Sequence, residues 1–210
     1  MRRGSRSGRR AGMERKFTVG TLEVDELLLP KVLKAVVGTI AFTRGVSRPA
    51  TLHVAEDLQA ELGISFPWDK SNGYLQEAVE KAAEKVKKRG PPEREENGVT
   101  VHVKFGRRQK QKKTWEMNVL EKWEIPIRLL PAQFGEQRLA NMTKLRDDVE
   151  KLLFDVLDEV EIDEPGAKFS HIPPPIDGEA PSEPLNIEVE VPDNKPKKHG
   201  FFGAIKDLFR

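Results

Sequence analysis

The stretch from Gly135 to Val160 constrains this chain more than any other. Leu139, Met142, Leu145, Val149, Leu152, Leu153, Val156 and Val160 recur three and four residues apart and form one apolar stripe. Asp147, Asp148, Glu150, Asp155, Asp158, Glu159 and Glu161 fill the opposite side or flank it. A helix with one such stripe must lay it on another layer of structure. This is the longest periodic element, and it is expected to be the central helix. Its carboxylates read as a solvated face rather than as an acid/base pair.

Two shorter helices are expected. In one, Val24, Leu28, Val32, Val36 and Ile40 fall four apart, with Leu27 and Leu33 widening the stripe. Pro30 fits only a first turn, so this helix starts between Asp25 and Leu29 and runs to about Ile40. The other runs from about Gly73 to Arg89, with Leu75, Val79, Ala82 and Val86 on one face and Gly90-Pro91-Pro92 as its stop.

Strands show as period-two patterns. Residues 17–24 look extended, and 61–68 hold a short apolar candidate. Val99, Val101, Val103 and Phe105 alternate with polar residues. Trp123, Ile125, Ile127 and Leu129 do the same, interrupted by Pro126, which predicts an edge position or a bulge. The segment between these two, GRRQKQKKTWEMNVLEK, reads as a long exposed loop. Leu185, Ile187, Val189 and Val191 form a last strand that returns to the sheet from beyond the long helix. The order β-α-(β)-α-β-β-α-β predicts an α+β fold, a mostly antiparallel sheet backed by three helices.

At 210 residues the chain suits one domain with tails. Residues 1–16 read as a basic disordered leader, 17–193 as the domain, and 194–210 as a basic linker with a short amphipathic helix. The leader is Arg/Ser-rich like a transit peptide, but it has no amphipathic face and no apolar core of a secretory signal. No apolar run approaches the ~20 residues a membrane helix needs. The net charge of +2 conceals a pattern: residues 1–16 carry seven Arg/Lys and one Glu, and 104–113 carry six Arg/Lys and no acid. A whole-surface nucleic-acid binder is therefore not indicated.

Signals for catalysis are absent. No phosphate-cradling glycine loop and no nucleophile elbow occurs. There is no cysteine, and His53, His102, His171 and His199 are too scattered for metal-ligand spacing. The expectation is no enzyme, no cofactor and no metal.

Binding signals are present. Trp115 and Met117 stand two apart beside the basic run, so an extended chain turns both to one side. Tryptophan is enriched among interface hot spots. The alternatives are that Trp115 folds back on the domain, or that it stacks on a base while 104–115 contacts phosphate. In the tail, Phe201, Phe202, Ile205, Leu208 and Phe209 share one helical face behind Lys195, Lys197 and Lys198. That face suits the domain, a partner or an anionic membrane surface. Pro181–Pro184 and Pro173–Pro175 suit an SH3-type groove or a stiff connection.

These residues together resemble one family. The segments FTVGTLEVDELLLPKVLKAVVGTIAF, GISFPWDKSNGYLQEAVEKAAEKVKK, VTVHVKFGRRQKQKKTWEMNVLEKWEIPIRLL, KFSHIPP, LNIEVEV and IKDLF are similar to autophagy-related protein 101, a HORMA-domain subunit of the autophagy-initiation kinase complex. The resemblance runs over about 17–210. It implies a HORMA-like fold, no catalysis and no cofactor. It implies a heterodimer with the HORMA domain of autophagy-related protein 13, and a cytoplasmic protein recruited to the preautophagosomal structure. It also implies an exposed Trp finger that recruits downstream autophagy factors. Trp115 matches the finger's Trp; Met117 stands where the family has Phe, Glu116 where it has Pro, and Trp123 follows one residue sooner. Another HORMA-type adaptor, a checkpoint or repair relative that closes on a partner peptide, is the alternative within the fold.

Overall fold

The computed structural model describes residues 14–46, 52–91, 98–111, 114–131, 135–161 and 186–192. Two short strands open it, β1 (Arg15–Thr18) and β2 (Leu22–Val24), where the sequence suggests one extended stretch. Helix α1 (Leu29–Thr43) follows. Asp25 Oδ1 accepts from the backbone N–H groups of Leu27 and Leu28 at 2.8 Å, and Pro30 sits in the first turn, where its missing N–H costs nothing. Next come β3 (Leu52–Leu58), the one-turn α2 (Gln59–Leu62), β4 (Ile64–Asp69) and α3 (Gly73–Arg89). The Asn72 side chain caps α3 by accepting from the Leu75 N–H at 3.0 Å. Long strands β5 (Val99–Gln111) and β6 (Thr114–Leu129), helix α4 (Gly135–Glu161) and strand β7 (Asn186–Glu190) complete the described chain.

The main sheet has the order β1-β6-β5-β7, with β2 also on β6. β5 is antiparallel to both β6 and β7, whereas β1 and β2 run parallel to β6, so the sheet is mixed. β3 and β4 form a separate antiparallel pair. The fold is α+β with three long helices and one short one among the described residues, compatible with the HORMA-like arrangement that the resemblance implies. β7 joins β5 after a 24-residue interval, as the alternation over 185–191 predicts.

Val99, Val101, Val103 and Phe105 of β5 and Trp123, Ile125, Ile127 and Leu129 of β6 share one core with the long helices. Intervening His102, Lys104, Lys122 and Glu124 lie on the opposite, half-exposed face.

Four expectations change. The central helix is α1, not α4: Leu29, Val32, Leu33 and every residue from Ala35 to Ala41 are buried, and α1 touches α3, α4, β3 and β4. A helix apolar nearly all round belongs in the middle, and one with a single stripe belongs outside. Among its described side chains α4 buries only Leu145, Val149, Leu152 and Val156, while Leu139 is 66% exposed. β3 is unforeseen because its Glu56 and Asp57 break the alternation and, among its described side chains, only Ala55 and Leu58 are buried.

Pro126 does not mark an edge, because β6 is flanked by β5 on one side and β1 and β2 on the other; β6 does carry a bulge, but between Val119 and Glu121 rather than at Pro126. The Glu124 carbonyl accepts from the Val19 N–H, and the Leu130 N–H donates to the Val24 carbonyl. Even-numbered residues of this stretch therefore turn their backbone polar groups toward β1 and β2. Pro126 falls opposite the interval 19–21 between those two strands, where no ladder bond is required. Finally, the expected basic loop is strand: β5 and β6 pair out to Gln111↔Thr114, with one shift of register between Phe105 and Gly106.

Candidate functional site

The β5–β6 hairpin outruns the sheet. β7 covers β5 only from His102 to Gly106, and β1 covers β6 only from Glu121 to Glu124. Beyond these, residues 107–111 pair with 114–118 and with no other strand among the described residues. A two-stranded ribbon is marginal by itself in water; this one continues from a ladder anchored in the core.

The anchor is a buried polar cluster. Arg44, just past the end of α1, places Nε 2.7 Å from Glu121 Oε1, and Trp123 Nε1 donates to the same oxygen. Arg44 and Glu121 are 6% and 3% exposed. The Phe17 ring stacks on Trp123 with centroids 4.5 Å apart and planes at 20°. The Arg44 guanidinium lies 5.5 Å from the Trp123 centroid and 5.6 Å from that of Phe17. Arg44 Nη2 is buried without a partner among the described residues. Trp123 is core, as its place in the alternation predicts.

Directly above this cluster the ladder breaks step. Phe105 pairs with Glu121, but Gly106 pairs with Val119, leaving Leu120 as a bulge. From there outward Arg108 is opposite Met117 and Lys110 is opposite Trp115. Met117 is half-buried, and Thr114, Glu116 and Asn118 are exposed. Trp115 is described by its backbone only. Phe201, Phe202, Ile205, Leu208 and Phe209, residues 1–13 of the basic leader and both proline motifs lie outside the described residues, whereas the leader's last two residues, Arg15 and Lys16, are not disordered but part of β1.

The open face of the sheet carries a charge ladder. Glu124 receives Lys16 and Lys122, each at 3.0 Å, and Lys104 pairs with Glu190. His102 sits between Glu124 at 3.6 Å and Glu190 at 3.7 Å. Burial, with Lys122 adding to it, holds the His102 pKa below its usual value against the pull of both carboxylates. Burial raises the Glu124 and Glu190 carboxyls, but lysine hydrogen bonds outweigh it and both end below the ordinary range. Farther along β6, Glu23 of β2 receives Arg128 and Lys144 of α4, and the Lys144 hydrogen bond lowers its pKa most.

A second surface was not foreseen. Between the end of α1, strand β4 and α4 lies an open groove of about 530 Å³. Phe42, Phe154 and Leu157 line it at 45%, 65% and 39% exposure, over Ile64, Phe66 and Leu153. A sequence signal was present: Phe154 and Leu157 are three apart, beside the α4 stripe rather than in it. Their exposure becomes meaningful only when Phe42, more than a hundred residues away in sequence, is brought beside them.

Among the described residues, no group of three or more His, Asp or Glu is placed to hold a metal. No described helix is long and apolar enough to cross a membrane. A family model described as autophagy-related protein 101 matches residues 21–177, about three quarters of the chain. That span contains the groove and the entire hairpin, and leaves β1 and β7 outside. No curated protein matches.

Proposed function

The chain belongs to the autophagy-related protein 101 family, and from that premise we propose that it is a non-catalytic adaptor of the autophagy-initiation kinase complex. In this reading it pairs with the HORMA domain of autophagy-related protein 13 and recruits downstream factors through the β5–β6 hairpin, acting in the cytoplasm at the preautophagosomal structure.

The observation that carries the pairing is the groove. Phe154 and Leu157 on α4 and Phe42 on α1 turn large apolar side chains to water in one place. Contiguous exposed apolar surface of this kind marks contact sites. A second domain seated there would cover all three side chains together. Glu150 of the same helix lines the groove beside them and pairs with Arg146 at 3.1 Å, so the apolar centre has a charged margin.

The hairpin supports the second half. A ribbon that extends past the sheet gives reach, and positions 115 and 117 lie near its tip on one strand. The basic residues of 104–113 keep the tip solvated and favour acidic partners.

Two double substitutions separate the surfaces. Phe154→Ser with Leu157→Ser weakens binding to the purified HORMA domain of autophagy-related protein 13, by about thirtyfold or more for one lost hot spot of ~2 kcal/mol. Trp115→Ala with Met117→Ala leaves that affinity unchanged and abolishes co-capture of downstream autophagy factors from cell extract. Both variants keep the parent melting temperature within a few degrees. Unchanged dimer affinity in the first variant rejects the groove, and a collapsed melting temperature in the second rejects an exposed finger.

A further inference from the structure

We infer that Gly106, the Leu120 bulge and the buried Arg44–Glu121 pair form a register selector that decides which face of the hairpin carries positions 115 and 117.

The sequence allows two registers above Glu121. In the observed one Leu120 is extra, and 106, 108, 110 and 111 pair with 119, 117, 115 and 114. Without the bulge, 107, 109 and 111 would pair with 119, 117 and 115. Side chains alternate along the unbulged strand β5. Its odd positions 99–105 face the core, and its even positions 102 and 104 lie on the open face. The observed register therefore assigns 115, 117 and 119 to the face of the charge ladder. The other would assign them to the helix side, with a three-residue tip in place of Lys112-Lys113. A one-residue slip exchanges the faces completely.

Two features select the observed register. At the base, Glu121 is fixed by Arg44 and Trp123, so β6 cannot slide as a whole; any slip must be absorbed above it. At the bulge, Asn118 and Met117 approach Gly106 so closely that a Cβ there would lie 2.9 Å from the Asn118 carbonyl carbon and 2.8 Å from Met117 Cγ. It would also press on the Asn118 carbonyl oxygen, which is backbone and cannot swing away. Only glycine admits this bulge, whereas a regular pair accepts any side chain. Buried ion pairs are best attested in this register-setting use.

The functional consequence rests on the finger reading above; the register itself does not. Because the chain has no cysteine, paired cysteines report register cleanly. Directly opposed residues lie within the Cα separation a disulfide spans, about 4.4–6.8 Å. With Gly106 intact, Arg108→Cys/Met117→Cys oxidises to a disulfide and Gln109→Cys/Met117→Cys does not. Gly106→Val inverts this result. Deleting Leu120 in the Gly106→Val background removes the extra residue and restores the 108/117 disulfide without a bulge, which also shows that the variant folds. Persistence of the 108/117 disulfide in Gly106→Val, or failure of the Leu120 deletion to restore it, overturns the inference. Capture of downstream factors by the cysteine-free chain is read in parallel. Inverted register with capture lost tenfold or more supports selector and finger together. Inverted register with full capture supports the selector and removes the finger.

Discussion

Removing Arg44 is the sharpest energetic test of the hairpin's anchor. Arg44→Met keeps most of the stem volume and deletes the charge. Glu121 is then left 3% exposed with its Oε1 held only by the Trp123 indole. Breaking one side of a buried pair costs about 3–5 kcal/mol, because the surviving charge stays desolvated. Glu121→Gln has the reciprocal effect: it leaves a guanidinium under the Phe17 and Trp123 rings with no carboxylate beside it. The double variant contains no buried charge, and its Gln oxygen still accepts from the indole. Its remaining cost is an amide without a second partner, about 1–3 kcal/mol. The single costs therefore fail to add, with a coupling of at least about 3 kcal/mol. At roughly 2–4 °C per kcal/mol for a chain of this size, each single variant melts about 6–20 °C below the parent, and the double lies above both. Urea unfolding read by tryptophan emission gives the four free energies of the cycle. An additive double variant, or an Arg44→Met cost under about 1 kcal/mol, refutes the reasoning.

Gly38→Ala tests the central helix. A Cβ at Gly38 would stand 2.7 Å from the Pro67 carbonyl oxygen and 2.9 Å from the Trp68 ring. Overpacking of about 1–3 kcal/mol opposes a gain of up to ~1 kcal/mol in helix propensity, so thermal melting falls by several degrees; a rise would show that α1 and β4 part freely. His102 tests the charge ladder. Its folded pKa is lowered while the unfolded chain takes up a proton near ~6.5, so stability declines as pH falls from ~6.5 toward the folded value. His102→Gln flattens that segment of the stability–pH curve in chemical denaturation. The further loss at lower pH, where depressed Glu23, Glu124 and Glu190 protonate, remains in the variant.

Local pattern determined much of this protein by itself. The boundaries of α3 and α4 follow from stripes and stops, because Asn72, Gly90 and the 3.6-residue period act within a few residues of where they stand. The burial of Trp123, the α+β class and the late strand were legible for the same reason. Tertiary structure alone decided the rest. Whether α1 or α4 is central depends on how many sides of a helix find partners, which one helix's sequence does not state. Pro126 is tolerated in an inner strand because β1 and β2 happen to leave an interval opposite it. The basic run at 104–111 becomes strand because β5 extends a ladder whose base is already buried. The groove exists only where Phe42, Phe154 and β4 converge. The face that carries Met117 was undecided by alternation, because a bulge changes parity and leaves no mark in the hydrophobic pattern beyond a single glycine, Gly106. Short-range chemistry is written along the chain; burial and register are properties of residues far apart in it, and they appear only once the chain has closed on itself.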